Sequence, residues 1–295
     1  TVLGEHNIWS TILRVPITFP PERFYGAQLG AMCIPDLLGT QGTFMLFTTR
    51  PESEAFQEGG MRLELEGQGD QWKGTIKGPE NILIDGNPPL EQDFPLDLDL
   101  KERKGLLSIG GEAITLELGV LSDGVKLEFK VVPGMKVAGL SRLMLTEMDD
   151  HVSLYFSPIN IEPEKPAMPI SHPSYYSTYL EKRIGPYATL GLAEDTWALN
   201  EKITDDQAFW TQSQDVEAER EKMFFTALER LRKGCLVTVF DATDRIQHMY
   251  WRYAENGHPA AEGIDNPEFA DAIEKHYQRN DALLGSGPDR NRDHY

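Results

Sequence analysis

Residues 235–253 read CLVTVFDATDRIQHMYWRY, and this stretch decides the fold class. From Cys235 to Phe240 every side chain is apolar or β-branched, with no polar alternation. That is the composition of a strand buried on both faces, as in a parallel sheet covered by helices. Polar residues begin at once after it: Asp241, Asp244, Arg245, Gln247 and His248. In open α/β sheets, ligands collect in the crevice beyond the carboxyl ends of the strands. Asp244 and His248 are four residues apart, so on a helix their side chains share a face and can converge on one metal ion. A carboxylate oxygen with an imidazole nitrogen suits zinc, manganese or iron. By spacing alone, an Asp that caps the helix and a His that packs against it is the commoner origin of the same pattern.

The flanks agree with an α/β core. Thr204-Asp205-Asp206 is an N-cap signal, and the helix it opens should run to Lys233-Gly234, a cation followed by a C-cap glycine. Met223, Phe224, Ala227, Leu228 and Leu231 mark its apolar face. A shorter helix is expected over Ser174 to Arg183, closed near Gly185-Pro186. A last helix should start at Asn266 with Pro267 in its first turn, bury Phe269, Ile273, Tyr277 and Leu284, and end at Gly285. Near the beginning, Thr11 to Val15 reads as a buried strand stopped by Pro16, and TFMLFTT (43–49) as another.

Between these α/β parts the periodicity changes to two. MRLELEG (61–67), AITLEL (113–118) and VKLEFKV (125–131) alternate apolar and polar residues. Turn signals recur at Gly67, Gly69, Gly78, Asp85-Gly86, Gly110-Gly111 and Asp123-Gly124, which is antiparallel β architecture. The expected organisation is therefore an α/β, doubly wound core interrupted by an antiparallel β-rich cap lobe. Residues 1–54 form the first part of the core and 55–165 the inserted lobe. Residues 166–285 continue the core and carry the metal-ligand loop, and 286–295 are a disordered polar tail. TVLGEHNIW at the start reads as the end of a helix, and SGPDRNRDHY at the finish is patternless, so truncation at both ends is expected.

Composition narrows the partners. With 47 acidic and 28 basic residues the net charge is −19, which repels a nucleic-acid backbone. No apolar run approaches the roughly 20 residues of a membrane span. Cys33 and Cys235 each sit in an apolar stretch and read as small buried hydrophobes; their redox state stays open. His6, His151, His172, His258 and His276 have no partner at ligand spacing and read as surface or satisfied core residues. Met249, Tyr250 and Trp251 read as a wedge holding the loop against the core.

FDATDRIQHMYWR (240–252) resembles a segment of the type I phosphodiesterase/nucleotide pyrophosphatase family. It looks closer still to the bacterial phosphohydrolase/phosphomutase group of the alkaline phosphatase superfamily. ILRVPITFPPE (12–22), IPDLLGTQGTF (34–44), LYFSPINIEPEKPAMPIS (154–171) and IGPYATLGLAEDTWALN (184–200) resemble that group in the same order, so the likeness spans residues 1 to about 284. It implies an alkaline-phosphatase-like core and a metal-dependent phosphoric-ester hydrolase acting on a small phosphate ester. Two divalent ions, zinc with manganese or iron as alternatives, would stand roughly 4 Å apart. Asp244 and His248 match the Asp and His that hold one ion. Asp241 is a candidate partner of those ligands. Arg245 would meet either a phosphate oxygen or a local carboxylate, and Asp36 and Thr40 are the polar candidates of a substrate-bordering loop.

The departures from the family pattern weigh as much. The family's upstream Asp, its Thr or Ser nucleophile and its later Asp-His pair are not found; Asp293-His294 follows no strand and is no match. The expectation is one half-site of metal ligands, inactive alone. A phosphomutase of the same superfamily, and a non-catalytic binding protein or degenerate fragment whose β lobe holds a ligand, stay open beside the hydrolase.

Overall fold

The computed structural model describes residues 2–51, 56, 57, 59–255, 257–261 and 266–286. After a single turn, α1 (Val2–Glu5), come β1 (Ser10–Leu13), β2 (Gly26–Leu29) and β3 (Phe44–Thr48). A strand-rich stretch follows: β4 (Gly60–Glu64), β5 (Glu66–Gln68), β6 (Gln71–Glu80), β7 (Pro89–Asp99), β8 (Lys104–Ile109) and β9 (Glu112–Glu117). It continues through β10 (Val125–Val132), β11 (Met135–Ser141), β12 (Leu143–Met148), β13 (Val152–Phe156), β14 (Asn160–Ile161) and β15 (Ser171–His172). The chain then becomes helical with α2 (Tyr176–Ile184), α3 (Thr196–Asn200) and α4 (Asp206–Arg230), returns once to strand in β16 (Cys235–Thr238), and ends in α5 (Ala242–Ala254) and α6 (Ala272–Ser286).

This is a mixed α/β molecule with several sheets. The sheet that positions the site has the order β15-β2-β1-β16. β2, β1 and β16 are parallel, in the register Ser10 opposite both Gly26 and Cys235, and β15 is antiparallel to β2. Leu13, Ala27 and Leu29 pack under Tyr176 and Leu180 of α2 and Met223 of α4. The long helix starts where Asp205 accepts the Ala208 N–H at 2.8 Å, an N-cap that satisfies a donor otherwise left orphaned. Gly234 enters β16 at φ 144°, where a Cβ would lie 2.3 Å from the Trp9 carbonyl, so only glycine fits.

β16 departs from the expected doubly buried strand. Among the described strands it is the sheet edge, and its residues are half-buried, with Val237 exposed. A strand of core composition at an edge has one row of backbone groups unpaired in the sheet.

The β lobe contains a five-stranded antiparallel meander, β5-β6-β7-β8-β9, together with sheets of order β12-β13-β3-β4 and β10-β11-β14. Period-two alternation does what it should: along β7, Leu90, Phe94, Leu96 and Leu98 point into the core. Phe47, Phe94 and Phe156 meet there with ring centroids 4.9, 5.2 and 5.5 Å apart. A Cβ on Gly74 would fall 2.5 Å from the Phe94 ring, so the glycine makes room for the aromatic. β3, within the segment assigned from sequence to the α/β core, pairs instead with β13 and β4 of the β-rich part.

Three side-chain assignments also change. Cys33 is exposed rather than buried, at a φ of 82° in a turn; it and Cys235 are free thiols. Trp251 is exposed, leaving the buried Tyr250 and the half-buried Met249 to hold α5 against the core. On α6, Tyr277 and Leu284 face outward, and Ala272, His276 and Leu283 face in. Phe269 is buried and Ile273 packs against the same cluster as expected, and a 3-10 turn at Pro267–Phe269 precedes the helix. Residues 287–295 of the expected tail lie outside the described residues.

Candidate functional site

The site is built where β16 ends. Val239 donates its N–H to the Leu13 carbonyl at 3.1 Å, so the chain leaves β16 and β1 at the same level. Asp241 then occupies the N-cap position of α5 without a side-chain cap bond, and Asp244 falls in the first turn. A carboxylate there faces the positive end of the helix dipole. Ile246 and Tyr250 fix the opposite face of α5 in the core.

Asp244 and His248 are brought together as the spacing implies. Asp244 Oδ1 stands 3.4 Å from His248 Nε2, and the side chains are 60% and 71% exposed. The second Asp244 oxygen accepts from Arg245 Nη1 at 2.7 Å. Arg245 is mostly buried, at 9% exposure, and turns its other nitrogens inward: Nη2 lies 3.6 Å from Asp241 and Nε 4.0 Å from Glu194, which is only 1% exposed. Arg245 thus meets three carboxylates. Burial, and then the charge of Asp241, push the Glu194 carboxyl above its usual range, against the pull of Arg245 and Arg220.

Deeper still lies Arg14, directly after β1, in a left-handed conformation with φ 54°. Its guanidinium donates to four carbonyls: Gly30 at 3.0 Å, Thr189 at 3.2 Å, Leu190 at 2.8 Å and Gly191 at 3.3 Å. Burial, then Arg220, lower its pKa to about 9. Arg220 and Glu217 of α4 are buried as well, and neither Glu217 oxygen has a hydrogen-bond partner. The carboxyl ends of the parallel strands therefore sit over buried charges of both signs. Arg14, Glu194, Glu217 and Arg220 escaped the sequence reading. Only Arg14 leaves a local trace, as a cation closing the apolar run ILR, because the others acquire meaning only through long-range contact.

His276 of α6 is buried, and its Nε2 stands 3.0 Å from Thr243 Oγ1, next to Asp244 in sequence; burial lowers its pKa. Asp36 and Thr40 are brought to each other. The Asp36 carboxylate accepts from the Thr40 N–H at 2.8 Å, the Thr40 hydroxyl at 2.5 Å and the Thr43 N–H at 2.9 Å, which closes the loop before β3. Those bonds use both carboxylate oxygens inside one turn.

The donor chemistry of Asp244 and His248 fits two ligands of a divalent ion. Among the described residues no group of three His, Cys, Asp or Glu side chains is arranged to hold a metal. No described helix is long and apolar enough to cross a membrane. Compared with family models, curated proteins and solved structures, the chain matches none.

Proposed function

We propose that the chain supplies one metal half-site of a phosphoric-ester hydrolase of the alkaline phosphatase type, with the β lobe as its cap. One observation carries the reading: an exposed carboxylate and imidazole face each other across 3.4 Å, just beyond the carboxyl end of a parallel strand. That is where α/β sheets bind ligands. Divalent ions, when bound, supply Lewis acidity toward phosphoryl oxygens. Asp244 and His248 would hold one ion from a single helix face. Arg245 occupies one Asp244 oxygen and leaves the other turned to His248, so the carboxylate is oriented before any ion arrives. The substrate class is a small phosphate ester, since a chain of net charge −19 disfavours a polyanion.

A second reading has its own support. Two ligands are fewer than the three protein ligands of a typical catalytic zinc site, which favours a ligand-binding protein with a weak lone site. The discriminating experiment expresses the chain together with its flanking coding sequence and measures zinc- and manganese-dependent hydrolysis of 4-nitrophenyl phosphate and bis(4-nitrophenyl) phosphate. Turnover is expected, with a loss of at least about 100-fold in Asp244→Ala and His248→Ala. If no metal stimulates turnover of either ester, or the variants keep wild-type metal affinity and rate, the hydrolase reading fails.

A further inference from the structure

The end of the parallel sheet opposite Asp244 and His248 holds a cavity of about 410 Å³, within the size range of small-molecule sites. Its walls are aromatic: Trp9 just before β1, Tyr175 just before α2, and Tyr176 and Tyr179 of α2. The Trp9 indole is pinned by a 3.2 Å bond from Nε1 to Thr11 Oγ1, and the Tyr176 and Tyr179 rings stack at 5.8 Å. The rim is cationic, with Arg230 at the end of α4 and Arg232 and Lys233 between α4 and β16. In a chain with 47 acidic residues, none of the lining side chains is a carboxylate.

A cation near a helix C-terminus is ordinary, because it offsets the dipole. That accounts for Arg230. It does not account for the aromatic walls, nor for Arg232 and Lys233 beside it on a rim without a carboxylate; Arg230 itself lies with its guanidinium carbon 4.8 Å from the Tyr179 ring. The geometry points to a site for a small organic anion, a flat aromatic ring bearing a carboxylate or a phosphate. The ring lies against the Trp9 and Tyr175 faces, and the anionic group meets the cations at Arg230, Arg232 and Lys233. The site is independent of the metal pair and stands whether or not the chain hydrolyses phosphate esters.

Isothermal titration of the whole chain in EDTA tests it, with 2-naphthoate, AMP, the neutral 2-naphthalenemethanol and inorganic phosphate as probes. At least one of the two aromatic anions should bind tenfold or more tightly than both the neutral ring and phosphate; which one does so identifies the carboxylate or the phosphate as the preferred group. The double variant R230A/K233A should weaken that binding at least tenfold, and Tyr175→Ala, at an exposed position, should weaken it with an unchanged circular dichroism spectrum. D244A/H248A should leave it unaltered. Equal binding of the neutral ring, no binding of either anion, indifference to R230A/K233A, or loss in D244A/H248A would each overturn the proposal.

Discussion

The two parts of the molecule both have hydrocarbon cores, but they differ in how many ionisable side chains they bury. The β lobe closes over hydrocarbon: Phe47, Phe94 and Phe156 at its centre, with Leu96, Leu107, Leu127 and Leu145 around them. The α/β part in addition buries ionisable groups, with Arg14, Glu194, Glu217, Arg220 and Arg245 gathered near the carboxyl ends of its parallel strands. Hydrocarbon burial stabilises without conditions, whereas a buried charge repays its desolvation only with partners in good geometry. That arrangement lies at one end of one sheet, next to the exposed Asp244-His248 pair on which the proposed function rests. Perturbed, partly unpaired charges cluster where chemistry is done more often than elsewhere.

The comparison breaks most severely at its hydrocarbon end. Phe94→Ala removes a fully buried ring from the contact with Phe47 and Phe156, and should cost about 4 kcal/mol in urea unfolding. A loss below about 1 kcal/mol would mean the lobe is not packed around this residue. Next comes Arg14→Met, which keeps volume but leaves the carbonyls of Gly30, Thr189, Leu190 and Gly191 without their donor. A cost of about 3 kcal/mol is expected. Should Arg14→Met prove neutral or stabilising, the buried cation is dispensable and the contrast between the two halves is weaker than drawn.

What the sequence disclosed follows the range of the forces involved. Local signals held: Asp205 caps α4, period-two runs became strands, and the DxxxH spacing brought Asp244 to His248. What failed depends on distant partners. TFMLFTT became a strand as read, but nothing in it marks β13, about a hundred residues away, as its partner. On α6 the expected face held at Phe269 and Ile273 but not at Tyr277 and Leu284, where His276 and Leu283 turn inward instead. CLVTVF has the composition of an inner strand, yet β16 lies at the edge of the described sheet. The candidate site was half legible. Asp244 and His248 share one helical turn, but the contacts of Arg245 with Glu194, and the position of Arg14 beneath, arise only when segments far apart in the chain fold together.

Glu217 sharpens the comparison by reversing its sign. Burial pushes its carboxyl up to about 7, with Arg279 and Arg220 opposing the shift. The folded state therefore holds this proton more tightly than the unfolded chain. The stability it contributes is fully present below the ordinary glutamate range near 4.5 and is lost as pH rises through about 7. Glu217→Gln is neutral at every pH. It should match wild type at pH 4.5 and exceed it at pH 8 by about 2 kcal/mol, read from denaturant curves at the two values. Equal stability at pH 8 would mean that Glu217 is ionised and paired, and that the α/β part pays less for its charges than its unpaired oxygens imply.

The smallest expected effect lies where the two parts meet. Arg142, between β11 and β12, reaches Asp215 of α4 at 2.7 Å and donates from Nε to the Ser122 carbonyl at 2.8 Å. Asp215 is half-exposed, so water screens the pair, and exposed ion pairs of this kind contribute about 0.5 kcal/mol. Asp215→Asn should cost no more than that in low salt and nothing measurable in 1 M NaCl, where the screening length falls to about 3 Å. The carbonyl bond keeps Arg142 in place in either case. A loss of 2 kcal/mol that persists in high salt would show instead that the junction belongs with the buried charges of the α/β part, and the boundary between a hydrocarbon half and an ionic half would have to be moved into the β lobe.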